Sequence, residues 1–447
     1  MYRFVIILLF ACACSHGQTQ NHVTTLVDTN EVLFSVTDMQ QDFNQMRQTL
    51  ENEHCCLYEY TSKNNFDSLF QHQYDLITSP LHPNEFYNIL SPITAKIGCM
   101  HTAIWMPSSY WERNSGNLFP LQVKLVEDYM VVSGKYNDTT QVPVGSIILE
   151  INEKPVHEII EEMRLNISAD AFNIHFINSQ IEKRYPLYYA SRYGFPGKYT
   201  LTYALPGRKT RVTKEIKPAT NQAVRAVAYK NFRHPALTLE LQEARSTAVM
   251  TIPTFIYYDR VDYFTNFLDS SFSVILEKKI QNLILDLRGN DGGDPFCSAP
   301  LLSYLEKEPV PYYAEPYGRY AEFAKPIPMA EKHFTGNLYV LLDGYCGSTN
   351  GHFSALLKFN KIGKFVGTPS GATYKCNAGR DTEINLDRTG MILTFGRTTY
   401  AAAVTGMDKT KPIMPDYPVE ITYNDFLNGK DVFMEKALML IDGQYKY

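Results

Sequence analysis

Two stretches of this chain bring chemistry-bearing side chains to the point where a buried strand runs into a loop. The first is Leu283-Ile284-Leu285-Asp286-Leu287-Arg288-Gly289-Asn290-Asp291-Gly292-Gly293-Asp294. Glycines at such a point let the backbone turn tightly and bring N–H groups close to a ligand. N–H groups so placed can stabilise an oxyanion. The same residues also describe a plain tight turn in which Asp286 and Arg288 pair for structure. The second stretch runs from Leu338 to His352, with Tyr345-Cys346-Gly347-Ser348 at its turn. A serine there has the positive end of a helix and unpaired N–H groups beside it, which suits a nucleophile whose acyl intermediate forms through an oxyanion. Serine is equally the common helix N-cap. The Gly-x-Ser-x-Gly pattern is absent because position 346 is cysteine, which argues against an α/β-hydrolase elbow. Cys346 is a lesser candidate nucleophile, on the strand side of the turn. His352, one turn beyond Ser348, is the nearest histidine in sequence, but a residue on the same helix reaches the serine at a poor angle.

These strand ends need a scaffold, and the pattern around them predicts one. From about Ala248 onward, apolar runs (Ala248 to Ile252, Leu283 to Leu287, Leu338 to Leu342) alternate with helical segments (Val261 to Lys279, and Phe353 to Leu357 on a helix). That alternation predicts an α/β core whose sheet is buried on both faces. Between Phe119 and Pro218 short β-rich runs appear at Leu121 to Leu125, Tyr129 to Ser133, Ser146 to Ile151 and Tyr199 to Ala204, with an amphipathic helix from His157. From Asp38 to Ile97 the chain reads as helical: Met39, Phe43, Met46 and Leu50 recur at spacings of three and four. Pro92 is expected to kink or restart the third of these helical runs.

Taken together, the strand ends resemble the C-terminal processing (tail-specific) proteases, a family whose relatives include the tricorn protease core. The likeness rests on Asp286-x-Arg288-x-Asn290-x-Gly292-Gly293 and on Tyr345-Cys346-Gly347-Ser348 opening a helix. It implies a crotonase/ClpP-like α/β protease core, an N-terminal helical segment and an inserted PDZ-like β-rich domain. The implied boundaries are a leader at 1–17, the helical region at 18–116, the insert at 117–218 and the core at 219–447. It implies a serine-type peptidase acting on peptide or protein substrates through an acyl-enzyme at Ser348, with no cofactor or metal. The N–H groups of Gly292 and Thr349 would form the oxyanion hole. The base differs between branches. Tricorn-like members use a histidine ahead of the insert, matched here by His101 in Gly98-Cys99-Met100-His101-Thr102, although Met100 stands where the family has glycine. Tail-specific members use a lysine after Val366-Gly367-Thr368-Pro369; Thr373 falls in its place, and Lys375 is the substitute two residues on. The third member is an acid shortly before a Pro-Asp pair, here Pro415-Asp416. Lys409 stands at the matching position and Asp408 beside it is the choice. Departures at Met100, at Glu153, which stands where the family's Ile-x-Asn-Gly segment of the insert has its glycine, and at Lys409 leave a catalytically inactive peptide-binding relative as the rival of another class.

The 447 residues are too many for one ordinary core, and a 45% hydrophobic content with 20% charged residues is that of a globular protein. A net charge of -5 gives no electrostatic reason to expect nucleic acid as a partner. The N-terminus reads as an export signal: Arg3, then an apolar run from Phe4 to Ala13 that is too short to span a bilayer. Cleavage near Ala13 or Gly17 would release a periplasmic or cell-envelope protein. Alternatively Leu9-Phe10-Ala11-Cys12, an imperfect lipobox, would leave a lipid anchor at Cys12. Of eight cysteines, six lie beyond this leader, and their spacing matches no zinc pattern.

Overall fold

The structure, a computed structural model, describes residues 32–137, 141–232, 236–377, 379 and 382–444. The leader and Cys12 lie outside the described residues. From Val32 onward the chain forms one compact unit.

The core is built on a sheet of six strands. Its order is Tyr417–Pro418, Lys364–Gly367, Asn337–Leu342, Asn282–Asp286, Thr247–Thr251 and Thr238–Gln242. All neighbours run parallel except the last pair, which is antiparallel. Alternate side chains of one strand enter different cores, as a pleat of period two requires. Leu283, Leu285 and Leu287 pack with Phe264, Leu268 and Phe272 of the helix Val261–Glu277. Ile284 packs the other way, with Tyr339, Leu341, Val366 and Ala437. Burying each leucine or phenylalanine of this kind contributes roughly 1.5–3 kcal/mol. The two central strands therefore cannot shift register without exposing both faces, and their C-terminal ends are fixed relative to one another.

Three helices precede the core: Val36–Glu53, Lys63–Asp75 and Pro83–Ile97. The first buries Met39, Phe43, Met46 and Leu50, the set its spacing predicted. The third runs on through Pro92 rather than restarting there. Burial of Leu90, Ile93 and Ile97 outweighs the roughly 3 kcal/mol that an interior proline costs. It ends at Gly98, whose φ of 73° is the left-handed conformation of a helix C-cap. The chain then turns through Met100 and His101 into the strand Ala103–Trp105, which pairs antiparallel with Ile392–Phe395.

The segment between helices and core forms a second, antiparallel sheet in the order Leu121–Val126, Tyr129–Lys135, Ile147–Ile151, Tyr199–Ala204, Arg211–Ile216. The four expected β runs are all strands of it. The 20-residue helix Ile174–Tyr193 was not legible as one. Its buried residues, among them Phe176, Ile177, Gln180, Ile181, Tyr185 and Tyr189, surround much of its circumference, so no one-sided stripe marks it.

Candidate active site

Ser348 stands just before the helix Thr349–Phe359 with φ 50° and ψ −125°, a conformation a non-glycine residue seldom holds. Such a backbone costs on the order of 1–3 kcal/mol and persists only where the surroundings impose it. Its side chain makes no capping bond to the helix. Both facts decide against the plain cap. The hydroxyl lies instead 3.2 Å from Nε2 of His101, a residue 247 positions earlier in the chain. His101 reaches it because Gly98 ends one helix and the pairing of Ala103–Trp105 with Ile392–Phe395 anchors the next residues.

The glycine loop lies against the serine. A Cβ added to Gly292 would fall 2.7 Å from Ser348 Cβ, 2.8 Å from Gly347 O and 2.9 Å from Thr349 N. Asn290, fully buried, organises the loop. Its Nδ2 donates to Ile252 O at 2.9 Å, and its Oδ1 accepts from Gly292 N at 2.9 Å. Its carbonyl accepts from Asn350 Nδ2 at 3.0 Å, tying the loop to the serine helix. Gly293 forms a parallel bridge with Phe255, and its carbonyl accepts from Thr349 Oγ1 at 2.6 Å. Asp286 and Arg288 do pair for structure, through Nε–Oδ1 at 2.9 Å and Nη2–Oδ2 at 2.6 Å. Arg288 also holds Asp431. The motif thus joins a structural ion pair to a loop that faces the serine.

The other sequence candidates fall elsewhere. Lys375 Nζ pairs with Glu59 Oε1 at 2.9 Å, and Glu59 also takes the ammonium of Lys409. Asp408 is not among the residues brought to His101: its exposed carboxylate accepts from Thr410 N at 2.9 Å and Thr410 Oγ1 at 2.7 Å. Its surface turn follows from local chemistry, an Asx-type bond two residues on. Cys346 is fully buried with Sγ 3.1 Å from Leu287 O, and burial pushes its thiol well up, which leaves it no part as an exposed nucleophile. His352 is buried edge-on to Tyr313, and burial pushes its imidazole down to about 3.

Two residues at the site gave no signal in the sequence. Cys376 places Sγ 3.6 Å from Nδ1 of His101. Asp170, between the insert's two helices, accepts the N–H of Met100 on Oδ1 at 2.9 Å. Asp170 is 2% exposed, its Oδ2 has no hydrogen-bond partner among the described residues, and burial pushes its carboxyl up to about 7. The two residues after it, Ala171 and Phe172, have φ of 50° and 63°. A carboxyl raised in this way keeps its proton in the folded state between about pH 4 and 7 while the unfolded chain has lost it. Stability should therefore fall as pH rises through that window, by on the order of 1.4 kcal/mol per pKa unit. Asp170→Asn keeps an acceptor for Met100 and should gain melting temperature over the parent at pH 8 but not at pH 4. Parallel melting curves for the two proteins across this range would contradict the assignment.

A strand-end serine in a strained turn, a histidine at its hydroxyl and a glycine loop against it, all on a mixed α/β scaffold, are the features of a serine-type peptidase. Residues 246–419 match the family model described as peptidase family S41, and the chain carries a domain of that family. No curated protein matches the chain. Among solved structures, mature CPAF complexed with lactacystin is similar, with a TM-score of 0.63 and 13% identity over 91% of this chain and 99% of that one. A putative peptidase from Parabacteroides merdae is also similar, with a TM-score of 0.50 and 15% identity over 91% of this chain and 97% of that one. At these identities the likeness is one of fold.

Proposed function

We propose that the chain is an exported serine endopeptidase that cleaves peptides or proteins through an acyl-enzyme at Ser348, with His101 as its general base. The observation that carries this reading is the 3.2 Å approach of His101 Nε2 to Ser348 Oγ, with the serine freed from helix capping. Nε2 takes the hydroxyl proton as Oγ attacks the scissile carbonyl, and returns it to the leaving amine. Water then repeats the sequence in reverse to release the acid.

The oxyanion needs donors already in place. One is the N–H of Thr349, first of its helix. For the second, the Gly292 N–H expected from the sequence is engaged by Asn290 Oδ1. Gly293 is the better donor. In this parallel bridge Phe255 makes both bonds, donating its N–H to Gly292 O and accepting Asp294 N–H, so the N–H and C=O of Gly293 point away from Phe255. Its carbonyl meets Thr349 on that far edge, and its N–H leaves on the same side.

The insert at 117–218 is read as a PDZ-like module that presents an extended peptide by strand addition. Its edge strand Leu121–Val126, with Arg288, Asp291 and Tyr345 of the core, lines a cavity of about 1410 Å³. Export is supported by Arg3 and the apolar run Phe4 to Ala13.

A fluorophosphonate probe tests the reading directly. It should label the folded protein at Ser348, and Ser348→Ala should abolish the label. Folded parent protein that takes no label would point to the inactive peptide-binding relative instead.

A further inference from the structure

Three neighbouring residues of the insert's long helix reach three different parts of the active site. On a regular helix three successive side chains fan over about 200° and do not converge on one target. The helix Ile174–Tyr193 is not regular there. Pro186 has no N–H to offer the carbonyl of Glu182, and Arg184 leaves the helical region at φ −132° and ψ 25°. Glu182, Lys183 and Arg184 therefore lie on a break in the helix. We propose that this break positions the two catalytic turns against each other, with Lys183 as the positioning residue of the glycine loop and Glu182 that of the nucleophile turn. This rests on the reading of Ser348 as the nucleophile.

Lys183 acts on the glycine loop. Its Nζ lies 2.6 Å from Oδ2 of Asp291, the residue between Asn290 and Gly292. Asn290 fixes the loop from inside, through Ile252 and Gly292, and Lys183 fixes it from outside. The backbone of Asp291 lies in turn against the residue before the nucleophile. A Cβ added to Gly347 would fall 3.6 Å from Asp291 O, and Gly347 N donates to Asn290 O at 3.3 Å. A rotation of the loop at Asp291 is thus felt at Gly347 and, through Gly292, at Ser348 Cβ.

Glu182 acts on the other turn. Its Oε2 accepts from the phenol of Tyr345 at 2.5 Å, three residues before Ser348. Lys124 Nζ donates to the same Oε2 at 2.7 Å and to the phenol oxygen at 3.1 Å, and Leu125 N donates to Oε1 at 2.8 Å. Burial, with the Glu182 carboxylate beside it, pushes the Tyr345 phenol well up, so the phenol keeps the proton it donates. A glutamate side chain that is 10% exposed and engaged at both oxygens is a fixed post for the tyrosine.

Arg184 completes the set. Its guanidinium carbon lies 5.6 Å from the centre of the Trp105 ring. Trp105 ends the strand that follows His101, and its indole N–H donates to Thr394 Oγ1 at 3.2 Å. Nucleophile turn, glycine loop and histidine segment lie far apart in the sequence, and one broken turn of the insert touches all three.

The test uses the full chain with Lys183→Met, Lys183→Arg, Asp291→Asn, the double variant Lys183→Met with Asp291→Asn, and Tyr345→Phe. It reads kcat and KM separately, melting temperature, and the rate of fluorophosphonate labelling at Ser348. The probe is too small to need a docked peptide, so its rate reports the site itself. Misplacement of reacting groups by about 1 Å can cost about 10²-fold. Loss of one anchor should cost Lys183→Met and Asp291→Asn about tenfold in kcat and in labelling. A partly exposed ion pair contributes little to stability, so their melting temperatures should stay near the parent's. Lys183→Arg keeps the pair and should keep most of the rate. The double variant should lose no more than either single one, because both remove the same contact. Tyr345→Phe removes only the phenol that Glu182 holds, and should slow labelling several-fold with KM unchanged. Additive losses in the double variant, or parental labelling in Tyr345→Phe, would overturn the proposal. A raised KM with parental labelling would make Lys183 a peptide-docking group and overturn it too. Slower labelling matched by a lower melting temperature would make the pair structural, with the same consequence. A parent protein that takes no label at Ser348 would remove the nucleophile itself, and the proposal with it.

Discussion

Replacing His101 by alanine should cost the peptidase at least about 10³ in kcat/KM, the scale on which a positioned general base acts. The serine hydroxyl is a poor nucleophile alone, and Nε2 at 3.2 Å is the group placed to take its proton. The loss should fall on kcat, since the imidazole handles a proton and not the substrate's side chains. Lys375→Ala provides the contrast. Its ammonium is bound to Glu59 at 2.9 Å, away from the serine, so the substitution should change kcat/KM by only a few-fold. Peptide hydrolysis measured for both variants against the parent decides between the two bases. An active His101→Ala beside an inactive Lys375→Ala would transfer the role to the lysine.

The second large effect belongs to Gly293→Ala. An added Cβ would fall 2.2 Å from Phe255 C and 2.4 Å from both Ile256 N and Phe255 O. Those are backbone atoms, so no rotamer change relieves the clash. The residue's φ of 141° adds strain for any L side chain. The bridge to Phe255 must open, and with it goes the carbonyl held by Thr349 Oγ1. The expected outcome is a loss of several kcal/mol, in the exceptional class for one substitution, together with loss of labelling at Ser348. Gly292→Ala should act differently. Its Cβ would meet Ser348 Cβ at 2.7 Å, so the damage centres on the nucleophile. Labelling should fall while the melting temperature drops less than for Gly293→Ala. Thermal melts and probe labelling of both variants check this, and a parental melting temperature for Gly293→Ala would refute it.

How far the sequence foretold these results varied with the distance over which each contact acts. The strand ends at Asp286 and Leu342 were legible because continuous apolar runs report a strand buried on both faces. The Ser348 turn was legible as a junction, but its φ of 50° and its missing capping bond were not, since serine there fits a cap as well. The approach of His101 to Ser348 spans 247 positions and came from resemblance, because no local pattern encodes it. Cys376 and Asp170 had no such guide. Each is ordinary in its own neighbourhood and becomes chemical only when the insert and the strand Lys375–Asn377 fold around one turn. Lys375 and Asp408 show the converse: their spacing suggested roles, while partners at Glu59 and Thr410 drew them off. The choice between Gly292 and Gly293 turned on one side chain, Asn290, whose amide claims one N–H of the pair.

The pairing of Ala103–Trp105 with Ile392–Phe395 has a bearing on when the protein becomes dangerous to its maker. A chain that has grown only past Ser348 already contains nucleophile and histidine, yet lacks the strand that braces the histidine. Cys376 and the strand Thr399–Ala401 opposite it also come later in synthesis. Contacts of such long sequence separation form late, because loop closure must precede their reward. The hydrolytic machinery is thus left unarmed until most of the polypeptide exists, a safeguard written into strand order.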